Sequence, residues 1–151
     1  MRSNSIRASL ALTVALAAVT PALATPEEEL KAFFTDYTKT FAAKDAAGVI
    51  ARHYRSARPM PDLAGMEASL KGLAGQGYDH SEVHSVKPCM LSSTDAIVEF
   101  HYERFLTSGQ PMGPADRVGV YVVHKYDDGW RISQILSAQP GVSITCTGPV
   151  K

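Results

Sequence analysis

Residues 118–136 read VGVYVVHKYDDGWRISQIL, two runs of β-branched and aromatic residues around Asp127-Asp128-Gly129. Alternating runs on either side of an Asp-Gly step predict an antiparallel hairpin, with Gly129 free to take positive φ. Its strands are placed at Arg117–Tyr126 and Trp130–Ser137. Upstream, AIVEFHYERF at 96–105 predicts a further strand, joined to the hairpin by the Gly/Pro-rich loop Ser108–Pro114. Ser81–Lys87 predicts another, and the tail after Pro140 has no periodic pattern. The period changes at Gly75 and Gly77. Before them, apolar residues recur at helical rather than alternating intervals.

Leu30, Phe33, Phe34, Tyr37 and Phe41 form the stripe of an amphipathic helix ending near Ala43. Thr25-Pro26-Glu27-Glu28 is its capping box, with Pro at the first helical position. Asp45 is placed as the cap of a short second helix carrying Val49, Ile50, His53 and Tyr54. Arg55–Pro61 reads as a basic connector. Asp62 caps a third helix through Leu63, Met66, Leu70 and Leu73, which Gly75 and Gly77 end. Helices first and strands after them define an α+β class, three N-terminal helices packed on a curved antiparallel sheet.

Residues 1–24 have the three parts of a secretory signal in order. Arg2 and Arg7 make a positive start, Ser9–Val19 a short apolar run, and Ala22-Leu23-Ala24 a cleavage site. The run is shorter than the roughly 20 apolar residues of a membrane span. Of 151 residues, 127 remain after cleavage, one domain at 25–151. The charge balance of 15 Lys+Arg against 15 Asp+Glu loses two arginines with the leader and becomes slightly acidic. That excludes a basic nucleic-acid-binding surface. The expected location is periplasmic or secreted. There Cys89 and Cys146 can pair, tying the tail to the start of a central strand and stabilising by about 2–4 kcal/mol. The alternative is two separate buried thiols. No C-x-x-C occurs.

The segment FFTDYTKTFAAKDAAGVIARHY at 33–54 and the hairpin VGVYVVHKYDDGWRISQIL at 118–136 resemble the nuclear transport factor 2-like superfamily. Within it they are most similar to the SnoaL-like, ketosteroid isomerase-like branch. The resemblance spans nearly the whole of 25–151 and rests on structural marks, so it speaks of fold more than chemistry. It implies a cone, a curved sheet wrapped over helices with a pocket between them. The family's isomerases use a Tyr eight residues before the turn Asp, and Tyr37 stands eight before Asp45. Their base would fall at Pro61, with Asp62 one step away, and their second oxyanion donor near Val122. One of three positions matches, so the resemblance does not imply that reaction.

Strand alternation selects the pocket-lining face. Val98, Phe100, Tyr102 and Arg104 are placed inward on the first strong strand. Val118, Val120, Val122, His124 and Tyr126 are placed inward on the next, and Trp130, Ile132, Gln134 and Leu136 on the last. Tyr37 and Tyr54 overhang this floor. The expected ligand-binding set is therefore Tyr37, Tyr54, Tyr102, Arg104, His124 and Gln134, for a small apolar or amphipathic molecule. Each has a plainer role: core tyrosines, a solvated His124, a rim charge at Arg104. No catalytic residue is assigned, and whether the chain is an enzyme is left open.

His80-Ser81-Glu82-Val83-His84 is not the helical H-E-x-x-H zinc motif. On a strand its outer pair is about 13 Å apart, too far to share an ion, which leaves one of them with Glu82 and a neighbouring-strand His101 as the alternative to solvated strand residues. No metal or cofactor is expected. The alternative function is a dimerisation or partner-docking module using the outer stripe Ile97, Glu99, His101, Glu103 and Phe105.

Overall fold

A computed structural model describes residues 24–58, 61–137 and 143–146. The leader expected at 1–24 lies, apart from Ala24, outside the described residues. Three helices, α1 (Pro26–Ala42), α2 (Ala46–His53) and α3 (Leu63–Gly75), accompany five strands. The strands are β1 (Tyr54–Arg58), β2 (Tyr78–Met90), β3 (Asp95–Leu106), β4 (Arg117–Tyr126) and β5 (Gly129–Ser137). They form one sheet in the order β1-β5-β4-β3-β2.

The helix starts follow their caps. The Thr25 hydroxyl accepts from the Glu28 N–H at 3.3 Å, and the Thr25 N–H donates to the Glu28 carboxylate at 2.8 Å. Asp45 accepts from the Gly48 N–H at 2.8 Å and Asp62 from the Gly65 N–H at 2.6 Å. Each satisfies an amide that the first helical turn leaves unpaired. Gly129 closes the β4–β5 hairpin at φ 109°, a conformation that favours glycine.

The sheet is α+β as expected but mixed rather than wholly antiparallel. Arg55–Arg58, read as a connector, belongs to β1, which pairs in parallel with β5, Tyr54 opposite Ile132 and Arg58 opposite Gln134. Tyr54 is both the C-cap of α2 and the first residue of β1. A five-residue, arginine-rich edge strand carries little hydrophobic alternation, because its outer backbone needs no apolar cover.

The concave face holds the core. Phe34 of α1 stacks on Phe100 of β3 with ring centroids 4.7 Å apart, and Phe100 stacks on Tyr102 at 4.8 Å. Trp130 donates its indole N–H to Glu29 at 2.9 Å, and Lys125 donates to the same carboxylate at 2.6 Å. These bonds fasten the closing hairpin to the start of α1.

On the convex face residues 143–146 lie against the sheet. Cys89 and Cys146 form a disulfide with Cα atoms 5.4 Å apart. Cys89 stands near the end of the edge strand β2, opposite Ile97, and not at the start of a central strand. The Ile144 N–H and the Ser143 hydroxyl both donate to Glu99, at 2.7 and 2.8 Å. Glu99, expected on a solvated stripe, is 1% exposed.

Candidate functional site

A cleft of about 400 Å³ opens between the concave face and the helices. Tyr37 and Phe41 of α1, Tyr54 at the head of β1, and Tyr102, Arg104, Tyr121 and Ile135 of the sheet form its floor and sides. Asp62, Gly65, Met66 and Ser69, on the first turns of α3, form the remaining wall. The sites follow from the elements. The α1 stripe that packs Phe34 into the core carries Tyr37 one turn further on, and the break at the α2–β1 junction turns Tyr54 towards it.

The Tyr37 and Tyr54 hydroxyls share a hydrogen bond of 3.0 Å in a buried setting. Burial pushes both phenols up from their ordinary pKa, and the neighbouring Tyr121 adds to the rise at Tyr37. Burial likewise raises Tyr121, with the neighbouring Tyr54 adding to the rise. All three hydroxyls therefore keep their protons at neutral pH, and within the Tyr37–Tyr54 bond one proton is committed while the other stays free to donate. Arg104 lies between two rings, its guanidinium carbon 5.6 Å from the centre of Tyr102 and 5.7 Å from that of Tyr78. Such placement over aromatic faces is a favourable cation–π geometry.

Four of the six expected residues, Tyr37, Tyr54, Tyr102 and Arg104, border this cleft. His124 and Gln134 do not. On β4 the inward face is Gly119, Tyr121 and Val123, the opposite parity to the one expected. Phe100 is opposite Gly119, Val98 opposite Tyr121 and Ala96 opposite Val123. Val118 and Val120 are buried too, but on the convex face with Glu99. With both faces apolar, alternation could not choose between them. His124 therefore points to the convex side, where its Nδ1 meets the Asp95 carboxylate at 2.6 Å.

Gln134 is displaced by a bulge. Val123 is opposite Ile132 while Val122 is opposite Gln134, so Ser133 is an extra residue on β5. Beyond it the parity reverses, Ile135 turns inward opposite Tyr121, and Gln134 and Leu136 are exposed. Val122, the position matched to an oxyanion donor, is on the convex face as well.

Tyr121 is the cleft residue the alternation missed. Its ring lies over Gly119, where an added Cβ would come within 2.6 Å of the ring. A glycine two residues before an aromatic on one strand was the available signal, since it leaves space for the ring to fold back. Asp62 borders the cleft, yet its Oδ1 is engaged in capping α3. Of the His80–His84 group, His80 stacks on Phe105 at 5.1 Å and His84 Nε2 lies 3.6 Å from Glu103. His101 is engaged elsewhere, its ring nitrogens facing Glu99 at 2.5 Å and Asp116 at 3.1 Å.

No protein-family model and no curated relative matches the sequence. Solved structures do. Aln2 from a Streptomyces species is 12% identical, with a TM-score of 0.60 over 78% of this chain and 94% of that one. ActVI-ORFA from Streptomyces coelicolor is 16% identical, with a TM-score of 0.54 over 71% and 92% of the two chains. An NTF2-like protein with a cystatin-like fold from Novosphingobium aromaticivorans is 14% identical, with a TM-score of 0.54 over 75% and 83%. The chain has the fold of the nuclear transport factor 2-like superfamily, the cystatin-like cone. At these identities the likeness is one of fold.

Proposed function

We propose that the protein is exported and binds a small apolar or amphipathic molecule in the cleft between α1, α3 and the sheet. The observation that carries this reading is a cleft of about 400 Å³ lined by aromatic side chains, into which a few polar groups converge. Binding sites for small molecules have this form, with volumes of roughly 300–1,000 Å³. The cleft supports binding, and the reading requires no chemistry of Asp62 or any other side chain. Cleavage after Ala24 would release a domain of residues 25–151, related to the SnoaL-like branch. The Cys89–Cys146 bond suits an oxidising compartment. No helix among the described residues is long and apolar enough to cross a membrane.

The alternative of docking through the convex stripe is less favoured, because the tail already occupies its centre at Glu99. A partner would have to sit on the tail or displace it.

Thermal-shift screening of residues 25–151 against a hydrophobic and steroid-like library tests the binding. A saturable rise in Tm is expected, and Ser69→Trp, which fills the cleft from α3, should abolish that rise while leaving the unliganded Tm close to wild type. A library without one stabilising member would reject the reading. Export is tested by the N-terminus of protein recovered from the periplasm or medium, expected at Thr25.

A further inference from the structure

Arg104 sets the cleft apart from a purely apolar one. It borders the main cleft and also a recess of about 30 Å³ beside Ser81 and Thr38. That recess has room for about one water-sized group. Arg104 Nε is buried and has no hydrogen-bond partner among the described residues. Among the described residues no carboxylate lies within 4 Å of its guanidinium, whereas Arg52, Arg55 and Arg131 each have one. What surrounds it is aromatic, the faces of Tyr78 and Tyr102.

A second cation stands close by. Arg117 is opposite Tyr102 across β3 and β4, on the same concave face. Its guanidinium donates to the carbonyls of Met112 and Gly113, and its buried Nε too has no partner among the described residues. Burial first, and then the charge of Arg104, lower its pKa. Two like charges therefore share one end of the concave face with no acid among the described residues to offset them. Both residues are half-buried, and a cleft wall lined by charges of one sign attracts the opposite ion. The acid of the cleft, Asp62, is on the α3 wall and is held by the Gly65 N–H.

We infer that the cleft takes an amphipathic organic acid, whose carboxylate is received by Arg104 at the recess while its apolar body lies against Phe41, Met66, Tyr121 and Ile135. This rests on the binding reading above and names the ligand class for it. A guanidinium matches a carboxylate with two parallel N–H donors, and such charge-assisted bonds are stronger than neutral ones. The protonated hydroxyls of Tyr37, Tyr54 and Tyr121 suit a ligand with a further oxygen along its body.

The test compares 2-naphthylacetate with its neutral isostere 2-naphthylacetamide, by titration calorimetry at neutral pH. The wild-type protein should bind the acid at least about ten-fold more tightly than the amide. In Arg104→Gln that ratio should fall to about one, chiefly through loss of acid affinity, and in Arg104→Lys part of the preference should return. A cooperative thermal transition near the wild-type Tm shows that the variant is folded. Equal binding of acid and amide by wild type would overturn the anion site while leaving the pocket reading intact. A preference that survives Arg104→Gln would overturn the assignment to Arg104. Failure of both probes, together with an unresponsive library, would remove the pocket reading and this inference with it.

Discussion

On β3, Phe100 and Glu99 are neighbours in sequence and face opposite sides of the sheet. Phe100 is 1% exposed between Phe34 and Tyr102. Glu99 is also 1% exposed, but its carboxylate meets His101, Lys87, Ser143 and the Ile144 N–H. Equal burial is thus reached by different means. The concave side is covered by a 17-residue helix whose apolar stripe needs no directional bonds. On the convex side the short segment 143–146 meets Glu99 and Cys89. Directional bonds and a covalent link take the place of area there.

Phe100→Ala should be the most damaging way to disturb this contrast. It removes a buried aromatic stacked on both sides, and a loss of about 3–5 kcal/mol is expected. Urea denaturation would measure it, and the Tm rise caused by a cleft ligand should also shrink. The double variant Cys89→Ser/Cys146→Ser should cost less, about 2–4 kcal/mol for the 57-residue separation. Its consequence should stay on the convex side. Amide shifts should spread around Ile97, Glu99 and Val120, with ligand affinity in the cleft unchanged. If the affinity fell with the disulfide, the two faces would not be independent.

Acid titration separates the faces by pH. Burial opposes ionisation of Glu99, but the bonds from His101, the Ile144 N–H, Ser143 and Lys87 outweigh it and hold its pKa at about 2 against the usual 4.5. The unfolded chain then binds the proton first, so this stabilisation is complete above about pH 4.5 and is lost as pH falls towards 2. His53 lies on the helical side. Burial lowers its pKa from 6.5 to about 4, against the attraction of Asp36. Here too the unfolded chain binds more protons, so stability should decline as pH falls from 6.5 to 4. Glu99→Gln should flatten the lower limb alone and His53→Gln the upper limb alone. The Glu99→Gln change should cost about 1–3 kcal/mol at neutral pH.

The contrast also explains what could be read from the sequence. The helices announced themselves through caps and stripes at Thr25, Asp45 and Asp62, and the hairpin through Asp127-Asp128-Gly129. Those signals are local, and the structure follows them. Tyr37, Tyr54, Tyr102 and Arg104 were legible because α1 and β3 each have one face clearly more apolar than the other. His124 and Gln134 were misplaced because β4 is apolar on both faces and β5 shifts parity at Ser133. Neither the tail lying on Val118 and Val120's side nor a bulge leaves a mark in alternation. Strand β1 was missed for a related reason, since an edge strand paired on one side needs few apolar residues. The fold was therefore more legible than the site, which depends on which face of β4 turns inward.

Tyr37→Phe should have the smallest effect and asks the finest question of the concave side. The substitution keeps the ring against Phe34, Phe41 and Tyr121 and removes only the hydroxyl bonded to Tyr54 at 3.0 Å. If the pair simply satisfies two buried hydroxyls, stability should fall by about 0.5–1.5 kcal/mol. Tyr54 borders the cleft, so its freed hydroxyl can turn to a ligand or to water, which limits the loss. For an apolar ligand without oxygen, affinity should therefore stay within about three-fold of wild type. For a ligand with an oxygen along its body, affinity should change more, because that wall then offers the single free hydroxyl of Tyr54 in place of the bonded pair. Measuring both ligands on the one variant separates the packing role of Tyr37 from its role as a donor. Equal losses for the two would mean that the hydroxyl pair holds the cleft open and makes no bond to what enters it.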